Sequence, residues 1–175
     1  HFQDIDELYQ HHFAYTETVD RIKLLSRRNQ SKEIFGSISN QFFTFLNLGV
    51  EARIYTDKKR QSNNSNLYTP LQKRFSIMSW RSYAQLTLSD LVKTYVSAST
   101  GFRSGGFNDA DFPPYDTEDV LTYEWGIKSQ LAHPYLYTEL AAYYSHYRDM
   151  QLRSLKPNHG AYIYNVGRAH IKGID

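Results

Sequence analysis

From Leu46 to Thr56 the chain alternates strictly. Leu46, Leu48, Val50, Ala52 and Ile54 point one way and Asn47, Gly49, Glu51, Arg53 and Tyr55 the other, because successive side chains of a strand face opposite sides of its sheet. Such a strand can meet lipid on one face and water on the other. The connections between segments of this kind run long (Asp57 to Ser76), short (Ser89 to Leu91), long (Phe102 to Val120), short (Ala132 to Pro134) and medium (Arg153 to Tyr162). An alternation of tight turns with long loops is the mark of a transmembrane β-barrel, which has short periplasmic turns and long outer loops.

The same period predicts the other strands. Ile34, Gly36, Ile38 and Phe42 alternate with Phe35, Ser37, Ser39 and Gln41, and a tight connection near Thr44 to Leu46 follows. Ala84, Leu86 and Leu88 oppose Tyr83, Gln85 and Thr87, and Ser89 with Asp90 supplies turn chemistry. Thr94, Val96, Ala98 and Thr100 are set against Tyr95, Ser97, Ser99 and Gly101, and Tyr123, Trp125 and Ile127 against Glu124, Gly126, Lys128 and Gln130. Leu136, Leu140, Ala142 and Tyr144 continue the series, which runs on through Tyr147 and Asp149, and Tyr162 to Asp175 reads as a last strand. His11 to Leu25 is long enough for a further strand, whereas His1 to Gln10 has no clear period and Ser26 to Lys32 reads as a polar loop. The expected fold is all-β, an antiparallel transmembrane barrel segment of about eight strands over residues 1–175.

Composition agrees with this. The 175 residues are 41% hydrophobic and include 15 Tyr and 10 Phe, while the mean hydropathy of -0.60 is that of a polar protein. No apolar stretch approaches the roughly 20 residues of a spanning helix, but a barrel strand spans with about 10, of which half are apolar. Tyrosine suits the two interfacial girdles. The absence of cysteine excludes disulfides and Cys-ligated metals. A formal charge of +2, with no basic run longer than Lys58, Lys59, Arg60, gives no footprint for nucleic acid. His1 to Gln10 is polar and acidic rather than a signal peptide, which for a membrane barrel implies that the start of the chain is missing.

Particular residues then point to a family. The run Tyr95, Val96, Ser97, Ala98, Ser99, Thr100, Gly101, Phe102, Arg103, Ser104, Gly105, Gly106, Phe107, Asn108 resembles the late-barrel signature of TonB-dependent outer-membrane receptors. So do Tyr123, Glu124, Trp125, Gly126, Ile127, Lys128, Ser129, then Ala141 to Tyr144, then Tyr147, Arg148, Asp149, Met150, Gln151. Asn165, Val166, Gly167, Arg168, Ala169 and Gly173, Ile174, Asp175 are similar to that family's next strand, with Asp175 where Glu is common, and Phe35 with Gly36 and Glu51 to Lys59 are similar to its preceding strands. The resemblance implies a bacterial outer-membrane receptor of the siderophore type, with a TonB box, a plug domain and a barrel of about 22 strands, of which this chain would hold a part without plug, TonB box or closing strands. It implies uptake of a scarce ligand, most often a ferric siderophore, driven by the TonB complex, in a wall surrounded by lipid and lipopolysaccharide. It implies transport rather than enzymatic chemistry, with no catalytic residue, cofactor or resident metal.

Ligand contacts in such a receptor come from the outer loops. Arg103, Phe107, Asn108 and Tyr115 lie in one expected loop, with Asp109, Asp111, Phe112, Pro113, Pro114 and Asp116; Arg60 and Tyr68 lie in another, basic one, with Lys58, Lys59, Lys73 and Arg74. Cations and rings suit anionic, catechol-bearing chelates. Most loop charges are solvated or pair with neighbours, since an exposed pair contributes under about 1 kcal/mol. Gly101, Gly105 and Gly106 fit a bulge or kink at a barrel rim better than a phosphate loop, because no helix start follows. His11 and His12, adjacent in a strand, face opposite sides and make a poor metal pair, and Glu124 with Lys128 reads as a charge ladder inside the barrel. Two other classes fit less well. A small autonomous barrel or lipocalin-like binder needs a closing strand pair, and a soluble carbohydrate-active β-sandwich enzyme needs carboxylates gathered in a cleft.

Overall fold

The computed structural model describes residues 2–10, 24–63, 70–108, 112–132, 136–156 and 160–175. All its elements are strands: β1 (Phe2–Gln10), β2 (Leu24–Phe42), β3 (Leu46–Asn63), β4 (Leu71–Ser89), β5 (Val92–Arg103), β6 (Glu118–Ala132), β7 (Leu136–Lys156) and β8 (Gly160–Ile174). They form one sheet in the order β1-β2-β3-β4-β5-β6-β7-β8, every neighbouring pair antiparallel. Among the described residues β1 and β8 do not pair with each other, so the sheet is open.

Register carries the alternation seen in single strands across the whole sheet. Ile38, Val50, Ser82 and Ala98 stand in one transverse row, and Leu48, Ala84, Val96, Trp125 and Ala142 in the next. Ile34, Ile54 and Met78 end the band toward the long connections. These side chains are exposed, Ile34 at 76%, Ile38 at 75% and Met78 at 64%. An apolar face that nothing among the described residues covers is the lipid face of a barrel wall. The other face is polar, and the described core residues with least exposure, Phe75 at 6% and Ala141 at 8%, lie on it.

The strands are longer than hydropathy predicts. β2, β3, β4 and β7 run 19, 18, 19 and 21 residues, about twice a bilayer crossing. Ser26 to Lys32, expected as a loop, is strand paired with β1 on one side and β3 on the other. The loop expected from Asp57 to Ser76 shrinks, because β3 continues to Asn63 and pairs with β4 from Leu71. β5 reaches Arg103, β6 starts at Glu118, β7 continues to Lys156 and β8 begins at Gly160. Phe2–Gln10, which shows no period, is strand as well, and most of the strand expected over His11 to Leu25 lies outside the described residues. One physical reason covers these differences. Beyond the membrane both faces of a strand meet water, so the ladder of backbone hydrogen bonds continues while the period-2 hydropathy signal vanishes.

Three tyrosines on the polar face lie flat over glycines of the neighbouring strand: Tyr83 over Gly49, Tyr95 over Gly126 and Tyr143 over Gly173, each a direct register pair. A Cβ on Gly126 would stand 2.5 Å from the Tyr95 ring. The Tyr95 hydroxyl donates to Glu139 at 3.1 Å, and Lys128 pairs with Glu139 at 3.0 Å while lying over the Tyr95 ring. Of the ladder expected on Glu124 and Lys128, Lys128 thus takes its partner, Glu139, from β7, and Glu124 meets the Tyr95 hydroxyl instead. Gly126→Ala is expected to destabilise the intact barrel by about 1–3 kcal/mol through overpacking. Tyr95→Ala in the same molecule should recover part of that loss. Thermal loss of the folded-barrel gel mobility measures both, and an unchanged midpoint in Gly126→Ala would contradict the packing described.

Candidate functional site

Above the pair Arg81–Ser99, β5 no longer pairs with β4, and the Thr100 hydroxyl accepts from the Trp80 backbone N–H at 2.9 Å instead. The chain then leaves β5 at Arg103 and folds inward over the polar face before re-entering the sheet at Glu118. Gly106 and Tyr115 close this loop on itself with two backbone hydrogen bonds of 3.0 Å. Gly105 sits against the buried Phe75 ring so closely that a Cβ would stand 2.6 Å from it.

Side-chain amides hold the loop down. Gln151 of β7 donates to the carbonyls of Arg103, Ser104 and Asp116 at 3.3, 3.2 and 2.9 Å, and its backbone N–H donates to the buried Glu118 carboxylate at 2.6 Å. Asn165 of β8 accepts from the Asp116 N–H at 2.7 Å and donates to the Asp116 and Asp149 carbonyls. Asn108 donates to the carbonyls of Pro113 at 2.8 Å and Ile163 at 2.7 Å, and accepts from the Ile163 N–H at 2.8 Å. Its own carbonyl accepts from Gln61 of β3 at 3.1 Å. Ser104 donates to Asp57, which also pairs with Lys59 at 3.4 Å, and Lys73 pairs with Asp116.

Asn108 therefore joins β3 to β8, five strand spacings apart. A flat sheet would separate them by about 24 Å, beyond the reach of two amide side chains. The sheet must curl toward its polar face, which makes that face the inside of a barrel wall and the loop a strap across its mouth. Here Phe112 stacks on Tyr162 with centroids 4.3 Å apart, and the Lys156 ammonium lies 5.7 Å over the Phe112 ring. Among the described residues the mouth presents cations and rings, and its carboxylates Asp57, Asp116 and Glu118 are each engaged.

The residues expected to meet a ligand fall into three groups. Arg103, Phe107 and Tyr115 are brought together with Asn108 on or beside the strap. The Arg103 guanidinium is largely exposed, 3.8 Å from Glu118, and Phe107 is half-buried. Burial raises the pKa of Tyr115 above its ordinary value, partly opposed by the charges of Arg27 and Arg103, so its phenol stays neutral. Asn108 is buried at 8% exposure, with its amide occupied by backbone groups, which makes it the strap's anchor. Arg60 lies on β3, opposite Gln72, and its parity with Ile54 puts it on the outer face, away from the strap. Tyr68, with Asp109 and Asp111, lies outside the described residues. Sequence reasoning gave Gln61, Gln151 and Asn165 no part in the site, although Gln151 and Asn165 stand in the runs that carry the family resemblance and all three have inward strand parity in polar segments.

No curated protein sequence matches the chain. Among solved structures it is similar to the ferric yersiniabactin uptake receptor FyuA from Yersinia pestis, with a TM-score of 0.69, 18% identity, and coverage of 87% of this chain and 24% of that one. It is also similar to the alcaligin outer membrane receptor FauA from Bordetella pertussis (TM-score 0.66, 16% identity, 86% and 27% coverage) and to the ferric-catecholate import receptor Fiu from E. coli K12 (0.65, 15%, 87% and 26%). The chain spans about a quarter of the length of each. The family model described as TonB dependent receptor-like, beta-barrel matches residues 13–175. The chain belongs to the TonB-dependent receptor-like β-barrel family, whose barrels lie in the bacterial outer membrane.

Proposed function

We propose that this chain forms part of the wall and mouth of a larger barrel, a TonB-energised outer-membrane receptor that takes up a ferric siderophore. The observation that carries the reading is the inward strap, which holds Arg103, Phe107 and Tyr115 at the mouth of the polar face. Membership of the family and the three siderophore receptors with the same fold support it. The role is transport, not bond-making. Arg103 supplies a fixed positive charge, and Phe107 and Tyr115 supply neutral rings, a combination that suits an anionic aromatic chelate. The plug and the contact with the TonB complex would belong to the rest of that receptor.

The test is energy-dependent uptake of labelled ferric siderophores, screened across chelator classes, in cells with and without the intact parent protein. Loss of uptake for one class is expected, and no loss for any iron chelate would sink the reading in favour of another cargo, such as a cobalamin or a glycan. Within the receptor, Arg103→Glu is expected to weaken binding of the responsive chelate about tenfold, and Arg103→Lys less. Equilibrium titration of the purified receptor measures this, and equal affinity in both variants would remove Arg103 from the ligand contacts.

A further inference from the structure

Two histidines face each other where β7 and β8 leave the membrane. His146 stands directly opposite His170, with Leu121 of β6 on its other side. Both follow the outward parity of Ala142 and Tyr144. About ten residues of β7, counted from Leu136, cross the lipid, which puts His146 just beyond it. The two rings pack with centroids 4.4 Å apart and planes tilted by 33°. Nδ1 of His170 is 2.7 Å from the Tyr144 hydroxyl, whose ring stacks on the same imidazole. Nε2 of His146 is shut off from solvent and has no hydrogen-bond partner among the described residues.

This arrangement suits neutral imidazoles and penalises charged ones. Protonating both would set two positive rings 4.4 Å apart, one of them with a desolvated nitrogen and no acceptor for its proton. The neighbours add to the penalty. One outward position higher Arg148 stands opposite Arg168, and one position lower Lys172 stands opposite Tyr144. On β6 the outward neighbours are Tyr123 and Asp119, the one acid of the set, which is in register with Arg148 rather than with either histidine. Desolvation, together with the charges of His170, Arg148 and Arg168, holds the pKa of His146 below its ordinary value.

The same two strands hold the strap. Asn165 grips both backbone groups of Asp116, the Ile163 backbone pairs with the Asn108 amide, and Gln151 takes three strap carbonyls. His146 to Gln151 and His170 to Asn165 are both steps of five residues, about 17 Å along the ladder. Lost pairing above the histidines would therefore draw Gln151 away from Asn165 and Ile163, and the strap could not keep all of these anchors.

We propose that the His146–His170 pair is an acid-sensitive release for the strap: protonation of the stacked imidazoles parts the upper ends of β7 and β8 and lets the strap lift. Once β8 frays, His146 meets water and takes a proton near the ordinary imidazole value of about 6.5, whereas in the closed form it does so only at lower pH. Acid therefore favours the frayed form as pH falls below about 6.5, and the closed form is firmest above that value. The inference rests on the strap and not on the cargo that passes it.

The test follows hydrogen exchange at the Asp116 and Ile163 amides of the intact receptor in detergent, from about pH 7.5 to about pH 5, with the intrinsic exchange rate at each pH divided out. Protection in wild type is expected to fall about tenfold over that range, the factor carried by a pKa difference of about one unit between closed and open forms. His146→Phe/His170→Phe keeps two stacked rings without a titrating nitrogen, and its protection should stay within about twofold. Arg148→Gln/Arg168→Gln, which removes the repelling neighbours, should respond less steeply than wild type. Heat-modifiable gel mobility reports folding, and if the phenylalanine pair misfolds, His146→Gln/His170→Gln carries the comparison. Unchanged wild-type protection at the acid end would overturn the proposal, and so would an equal fall in the histidine-free variants, which would assign the response to the strap's own carboxylates.

Discussion

Asn108→Ala in the intact receptor is expected to release the strap. The substitution removes the donor to the Pro113 and Ile163 carbonyls and the acceptor for the Ile163 N–H, at a place where little water can replace them. Leaving such part-buried groups unmet costs roughly 1–3 kcal/mol. The loop should then open about ten to a hundred times more often, because local opening is governed by the local free energy. Asn108→Asp should do at least as much harm, since it sets a carboxylate against two carbonyl oxygens. Hydrogen exchange at the Ile163 amide and protease cleavage between residues 104 and 117 both report opening, and ligand affinity should fall with them. Wild-type protection at Ile163 in both variants would show that the strap is held by Gln151 and Asn165 alone.

The second large effect concerns the 175-residue chain by itself, expressed without the rest of a barrel and without detergent. Nearly all of it should pellet. Ile34, Ile38, Val50, Ile54, Met78, Trp125 and Leu140 stay exposed after folding, each above 49%, and they adjoin one another across the sheet. A contiguous apolar patch of that extent exceeds the few hundred Å² that soluble monomers tolerate, and β1 and β8 add open edges that can template pairing. Sedimentation and light scattering decide the matter. A monodisperse, β-rich monomer in plain buffer would overturn both this expectation and the assignment of the apolar face to lipid.

The membrane-level part of this architecture was legible in the sequence because lipid imposes a period. From Leu46 to Ile54, from Thr94 to Thr100 and from Tyr123 to Ile127, one face must be apolar and the other need not be. Above that level the constraint lapses. Arg27, Arg28 and Asn29 look like a loop because no hydropathy alternation marks them, yet their backbones pair on both sides. The site was legible in its composition but not in its geometry. Arg103, Phe107 and Tyr115 belong to one strap, whereas Arg60, read as a partner in ligand contact, faces the other way. Which face a polar residue takes depends on register carried up from the apolar band, information that no local window contains. The role of the amides of Gln61, Gln151 and Asn165 was not legible for a related reason. Each serves a loop or strand 35 to 49 residues distant, as Gln151 serves Asp116 and Asn165 serves the same residue.

The tyrosines stacked over glycines bear on how such a wall is put together. β2 with β3, β4 with β5, β6 with β7 and β7 with β8 are joined by three residues or fewer, so each of these pairs closes at little entropic cost and forms early. Tyr143 over Gly173 lies within the locally closed β7–β8 pair, but Tyr83 over Gly49 and Tyr95 over Gly126 do not lie within any of them. They fall at β3 to β4 and β5 to β6, the seams where one unit must dock on the next. A slip of one residue would bring a side chain with a Cβ under the ring in place of the glycine and turn the lipid face of the incoming unit inward. The two rings at the seams thus act as alignment keys: the docking of successive hairpins is proofread by shape, before the long strap has anything to close over.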